Sequence, residues 1–202
     1  MKRFLGWIGV VGVLLLAACG PEAVVERPAA EMNLALADLP EGFRQKGQDL
    51  SLADILQQIN LSESDKGAVK DGSMRTFTAT LGLSATAGIR STEVVAVVLR
   101  FDSEGAAQSG ASDIATGFGD AMRTIRVTPE VLGTTPLPAP ASLGVFSRVQ
   151  LPEQGAQVYL AVFHKKNVLG LVLVSGPQGE VEGLAVRLAQ ALEKKIPLPA
   201  TP

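Results

Sequence analysis

Cys19 is the only cysteine of the chain and His164 the only histidine, so nucleophilic, metal and acid–base chemistry have few carriers. One thiol cannot close a disulfide within the chain, and one Cys with one His cannot build a tetrahedral zinc site. An imidazole base needs a nucleophile or an orienting carboxylate within hydrogen-bond reach. His164 instead ends an apolar strand pattern, with Val158, Leu160 and Val162 as its mates on one face. It reads as a strand-end histidine. Close carboxylates that could share acid–base or metal work are Glu63/Asp65, Asp102/Glu104 and Glu180/Glu182. All fall in loops or at helix starts, where acids cap and solvate. No G-x-S-x-G, H-E-x-x-H or Walker-type phosphate loop occurs. The expectation is a protein that is not an enzyme, with no catalytic residue, no metal and no cofactor. Lys165 and Lys166 read as solvent-facing protection at the tip of a hairpin.

The thiol itself stands at the end of a distinctive segment. Residues 1–20 read MKRFLGWIGVVGVLLLAACG, with Lys2 and Arg3 ahead of a fifteen-residue uncharged run from Phe4 to Ala18. Crossing a ~30 Å hydrocarbon core takes roughly 20 helical residues. The run is too short for that and reads as a signal peptide over residues 1–18. Leu16-Ala17-Ala18-Cys19 resembles the lipobox of bacterial lipoproteins. The resemblance implies a diacylglyceryl group on the Cys19 thiol and cleavage before Cys19. Two or three acyl chains then anchor the protein stably, at about 0.8 kcal/mol per buried CH₂. The implied location is the cell membrane or an outer membrane, with the body on the extracytoplasmic side. Position 20 is Gly, not the Asp that resembles an inner-membrane retention signal, which points to the outer membrane where the source has one.

Composition bounds what the body can be. Of 202 residues, 47% are hydrophobic and 19% charged, enough for a sizeable core and against wholesale disorder. Losing Lys2 and Arg3 with the signal leaves 16 basic against 20 acidic side chains, a net charge of −4. Such a balance gives no basic face for nucleic acid and no attraction to anionic headgroups.

The elements that position these residues follow from periodicity. Residues 19–33 are rich in Pro, Ala and Glu and read as a flexible tether from the lipidated cysteine. A single domain is expected over 34–196. Ser51 starts a short helix with Asp54 three residues on as its capping partner, and 60–73 reads as a polar loop. Phe77, Ala79, Leu81 and Leu83 alternate as a strand, and Thr92–Phe101 (TEVVAVVLRF) is a buried strand. Asp102 or Ser103 caps a helix running to about Arg123 on Ala107, Ala111, Ile114, Ala115, Phe118 and Met122. A Pro-rich linker over 127–142 leads to strands at 144–151, 156–164 and 168–175. The hairpin tip is 165–167, with Asn167 expected to take any positive φ. Pro152–Gly155 reads as a turn and Gly176–Gly179 as the break after the last strand. Val181, Leu184, Ala185, Leu188, Leu192 and Ile196 form the stripe of a closing helix, and a Pro-rich tail covers 197–202.

Strands then helix, twice, predicts an α+β fold: an antiparallel sheet with helices packed on one face, in two similar strand-strand-helix units at about 74–124 and 143–196. Whether these units are a duplication stays open. The stretch Tyr159–Ile196 resembles the C-terminal halves of secreted or lipid-anchored bacterial proteins of undefined function, some with sensor-type extracytoplasmic domains. That resemblance carries no site residues. The strands at 94–99, 158–163 and 168–174 are apolar on both faces, so a second face needs cover: the helix at 51–59 with the linker, or else an apolar ligand or a partner. The expected function is a non-enzymatic binding or envelope-accessory module, with a carrier or sensor of an apolar ligand as the alternative.

Overall fold

A run such as Thr92–Phe101, apolar at odd and even positions alike, is stable as a strand only where both faces of its sheet are covered. In the computed structural model it is an interior strand, third in the order of a seven-stranded sheet. The structure describes residues 24–80, 91–124, 127–133, 144–151, 155–177 and 181–198. The strands are β1 (Arg44–Lys46), β2 (Val69–Thr80), β3 (Ser91–Phe101), β4 (Glu130–Gly133), β5 (Gly144–Leu151), β6 (Ala156–Lys165) and β7 (Val168–Pro177). Their order is β1-β2-β3-β7-β6-β5-β4 and every pairing is antiparallel. The helices are α1 (Ala29–Met32), α2 (Leu52–Gln58), α3 (Glu63–Ala68), α4 (Glu104–Thr124) and α5 (Glu182–Lys195).

The α+β class and antiparallel sheet stand as expected, but the helices occupy both faces. On the first face α5 and the segment 25–39 pack on Phe77, Val94, Ala96, Val98, Tyr159, Ala161, Phe163 and Val172. On the second, α2, α3 and α4 pack on Val97, Leu99, Phe101, Leu160, Val162, Leu169 and Leu171. This answers the apolar character of both strand faces: the expected helix at 51–59, now α2, covers the second face together with α3 and α4. It also separates the two strand-strand-helix units. A rotation relating β2–β3 to the antiparallel β6–β7 is normal to the sheet and keeps helices on one face. Here α4 and α5 lie on opposite faces.

Other boundaries shift for local reasons. Ser51 caps α2 as expected, its Oγ accepting from the Asp54 N–H at 3.3 Å, and Ser103 caps α4 through the Ala106 N–H. Within the expected 60–73 loop, Ser62 caps α3 by accepting from the Asp65 N–H at 3.3 Å, and β2 begins at Val69. The expected linker includes the edge strand β4, paired with β5; 134–142 lie outside the described residues, as do Leu81 and Leu83, Pro152–Gln154, Gln178–Glu180 and 199–202. β7 runs to Pro177, past the expected break at Gly176.

The largest correction concerns the tether. Val25, Ala29, Met32 and Leu34 are all buried in the first-face core. Residues 25–33 are therefore part of the fold, a strap laid between the sheet and α5.

Candidate functional site

The strap is held by polar side chains along its length. Asn167, buried in the β6–β7 turn, accepts from the Val25 N–H at 2.6 Å through Oδ1 and donates through Nδ2 to the Val25 carbonyl at 3.2 Å and the Phe101 carbonyl at 2.9 Å. Asp71 Oδ2 accepts from the Ala29 N–H at 2.7 Å. Asn33 donates to the carbonyls of Ser73 and Ala96, and Arg75 to those of Leu34 and Ala30. Lys195 pairs with Asp38 at 2.6 Å. Buried backbone groups that would otherwise lack partners are thereby satisfied.

The hairpin tip differs from its expected role. Positive φ falls on Lys166 (54°), not on Asn167, whose side chain is committed to the strap. Lys165 is 6% exposed. Its ammonium donates to the Glu193 carbonyl at 3.3 Å and the Ile196 carbonyl at 2.6 Å, closing the C-terminal end of α5, where the helix dipole favours a cation. The solvent-facing reading fails for Lys165 because the register of β6 turns it under α5. Lys166 pairs with Glu104 at 3.0 Å.

The candidate catalytic groups stay dispersed. The Nδ1 atom of His164 is buried without a hydrogen-bond partner, on the strand face of Leu160 and Val162. Glu63 pairs with Lys66 and Asp102 with Lys70. Asp65 is 7% exposed with an unpartnered Oδ2. Glu180 lies outside the described residues, as do Leu16, Ala17, Ala18 and Cys19. Among the described residues no cluster of three His, Cys, Asp or Glu side chains is placed to hold a metal.

A polar cluster that periodicity does not reveal joins β5, β6 and α5. The Tyr159 hydroxyl donates to Glu182 Oε2 at 3.1 Å, and Arg148 stands 4.0 Å from the same carboxylate. Phe146 stacks on the Tyr159 ring at 5.6 Å. Burial raises the pKa of the phenol, a hydrogen bond with Arg148 opposes the shift, and Glu182 adds to it. The cluster pins the start of α5 to the sheet.

Among the described residues, part of the second face is less covered than the rest of the core. On the second face, burial falls along all three central strands towards the end of the sheet opposite the β6–β7 turn. In β3 Leu99 and Val97 are buried and Val95 half-buried; in β7 Leu169 and Leu171 give way to Leu173; in β6 Val162 and Leu160 give way to Val158. Val95 and Leu173 are cross-strand partners, and the border is polar: Thr76 beside Val95, Ser175 beside Val158 and Glu93. A small apolar shelf with a polar rim is the composition of an interaction surface. At two points helix and sheet approach closely: a Cβ on Gly110 would lie 2.9 Å from the Phe101 ring, and one on Gly176 would lie 2.6 Å from Val181.

The same architecture occurs in a solved structure. The chain is similar to the extracellular domain of PknH from Mycobacterium tuberculosis, with a TM-score of 0.51 at 14% identity, covering 87% of this chain and 98% of that one. The two share a fold. An uncharacterised protein of Mycobacterium smegmatis aligns over 91% of this chain and 94% of its own at 15% identity, with a TM-score of 0.37. No family model and no curated protein matches the sequence. Among the described residues no helix is long and apolar enough to cross a membrane.

Proposed function

We propose that the chain is a lipid-anchored extracytoplasmic binding module, without catalytic activity, that engages an envelope protein through the Val95–Leu173–Val158 shelf. The observation carrying this reading is the loss of burial along β3, β7 and β6 towards one end of the sheet, which leaves Val95, Leu173 and Val158 half-buried inside a polar rim. The Leu-Ala-Ala-Cys signal supports the anchoring, and the fold shared with an extracellular domain supports the compartment. The dispersal of His164 and the carboxylate pairs supports a non-enzymatic role.

The test is a photo-crosslinking side chain at position 173 of the full-length protein in its own host, with a second at exposed Arg187 on α5 as the control. A defined adduct from position 173, absent from position 187 and abolished by V95E, supports the reading. Equal labelling from both positions overturns it. A non-covalent lipid adduct in native mass spectrometry, lost in L173D, would favour the alternative of an apolar-ligand carrier on the same shelf.

A further inference from the structure

We infer that the β6–β7 turn faces the bilayer at close range and that the shelf is carried on the end of the sheet turned away from it. This rests on the anchoring reading above. The argument is the length of chain between the anchor and the first clamped residue. Val25 is 2% exposed and bonded through both its N–H and its carbonyl to Asn167 in the turn. Five residues, Gly20–Val24, separate it from Cys19. Six Cα steps reach at most about 22 Å, less than half the reach of a tether running to residue 33. The point of attachment lies at one end of the sheet, beside Phe101, Lys166 and the end of α5. β2 and β3 are 12 and 11 residues long, so their opposite ends lie about 35 Å from the clamp along the sheet. The strap then runs outward along β2, through Ala29 on Asp71 and Asn33 on Ser73. A pull on the anchor therefore loads the Asn167 clamp and not a loose tail.

The experiment uses full-length protein purified with its native lipid and reconstituted in phosphatidylcholine vesicles bearing an acceptor dye on the headgroups. A donor dye is placed on K194C, at the turn end, or on T80C, at the shelf end; both positions are exposed. Energy transfer is expected to be several-fold higher from K194C than from T80C. Inserting twenty Gly/Ser residues between Gly20 and Pro21 adds about 25 Å of r.m.s. reach and should lower the K194C signal towards that of T80C. Equal transfer from the two positions in the parent, or a K194C signal indifferent to the insertion, overturns the inference while Cys19 is acylated by mass spectrometry. An unmodified Cys19 peptide instead removes the anchoring reading and this inference with it.

Discussion

Replacing Asn167 with Ala removes a side chain that makes three hydrogen bonds to main-chain groups: 2.6 Å from the Val25 N–H, 3.2 Å to the Val25 carbonyl and 2.9 Å to the Phe101 carbonyl. A net contribution of about 1 kcal/mol each gives about 3 kcal/mol if the partners regain water. Undocking Val25 forfeits apolar burial worth a further ~1–2 kcal/mol. The next clamp, Asp71 on the Ala29 N–H, remains in place, so the strap should open only over residues 24–28 and the total should stay near the sum of these two contributions, about 4–5 kcal/mol. Hydrogen exchange by mass spectrometry reads this directly: the peptide containing Val25 should lose protection in N167A while peptides from β3 and β7 keep theirs. Urea unfolding should show the midpoint falling at an unchanged slope. K166G, in the same turn but with its side chain paired to Glu104, is the control and should leave Val25 protected. Protection at Val25 unchanged in N167A, with a stability loss under about 1 kcal/mol, would refute the clamp.

Three further outcomes follow from the packing. K165M should cost about 2 kcal/mol in urea unfolding, because the Glu193 and Ile196 carbonyls lose a buried charged donor at the end of α5. G170A should cost about 1–3 kcal/mol, since a Cβ there enters the space of the buried Phe163 ring. The chain has a single tyrosine, so phenolate absorbance reports Tyr159 alone. Its folded pKa is raised, hence its contribution to stability is complete below the unfolded value of about 10 and is lost as pH rises through the folded value. Native protein should titrate at higher pH than urea-unfolded protein, and Y159F should flatten the alkaline loss of stability; coincident titrations would remove that account.

Much of the scaffold is written in periodicity. The β-branched run at 92–101 and the stripe from Val181 to Ile196 are each long and strongly patterned, and both form as read. The same signal, apolar at odd and even positions of β6 and β7, already demands cover on two faces. α2 was legible as cover, but cover by α3 and α4 is a tertiary outcome: α3 is six residues with Asp65 its one buried residue, and nothing local marks it as more than a loop. The strap was illegible for a related reason. Ala29 and Met32 sit in a Pro/Ala/Glu-rich stretch without period, and its order comes from Asn167, Asp71, Asn33 and Arg75, all contacts remote in sequence or set by them. Lys165 looked like a tip residue because its burial depends on where α5 ends. The shelf was half-legible: the strands call for a covered second face, while the length left uncovered is set by where α4 lies.

The central claim is that this domain sits at a membrane on an acylated Cys19, its strap clamped six residues later. The most direct test is mass spectrometry of the mature N-terminal peptide from the host's membrane fraction. The account predicts a chain that begins at Cys19 with acyl chains on that residue, and that leaves the membrane fraction in C19S. A mature chain with an unmodified Cys19, or one that begins at another residue, would contradict it.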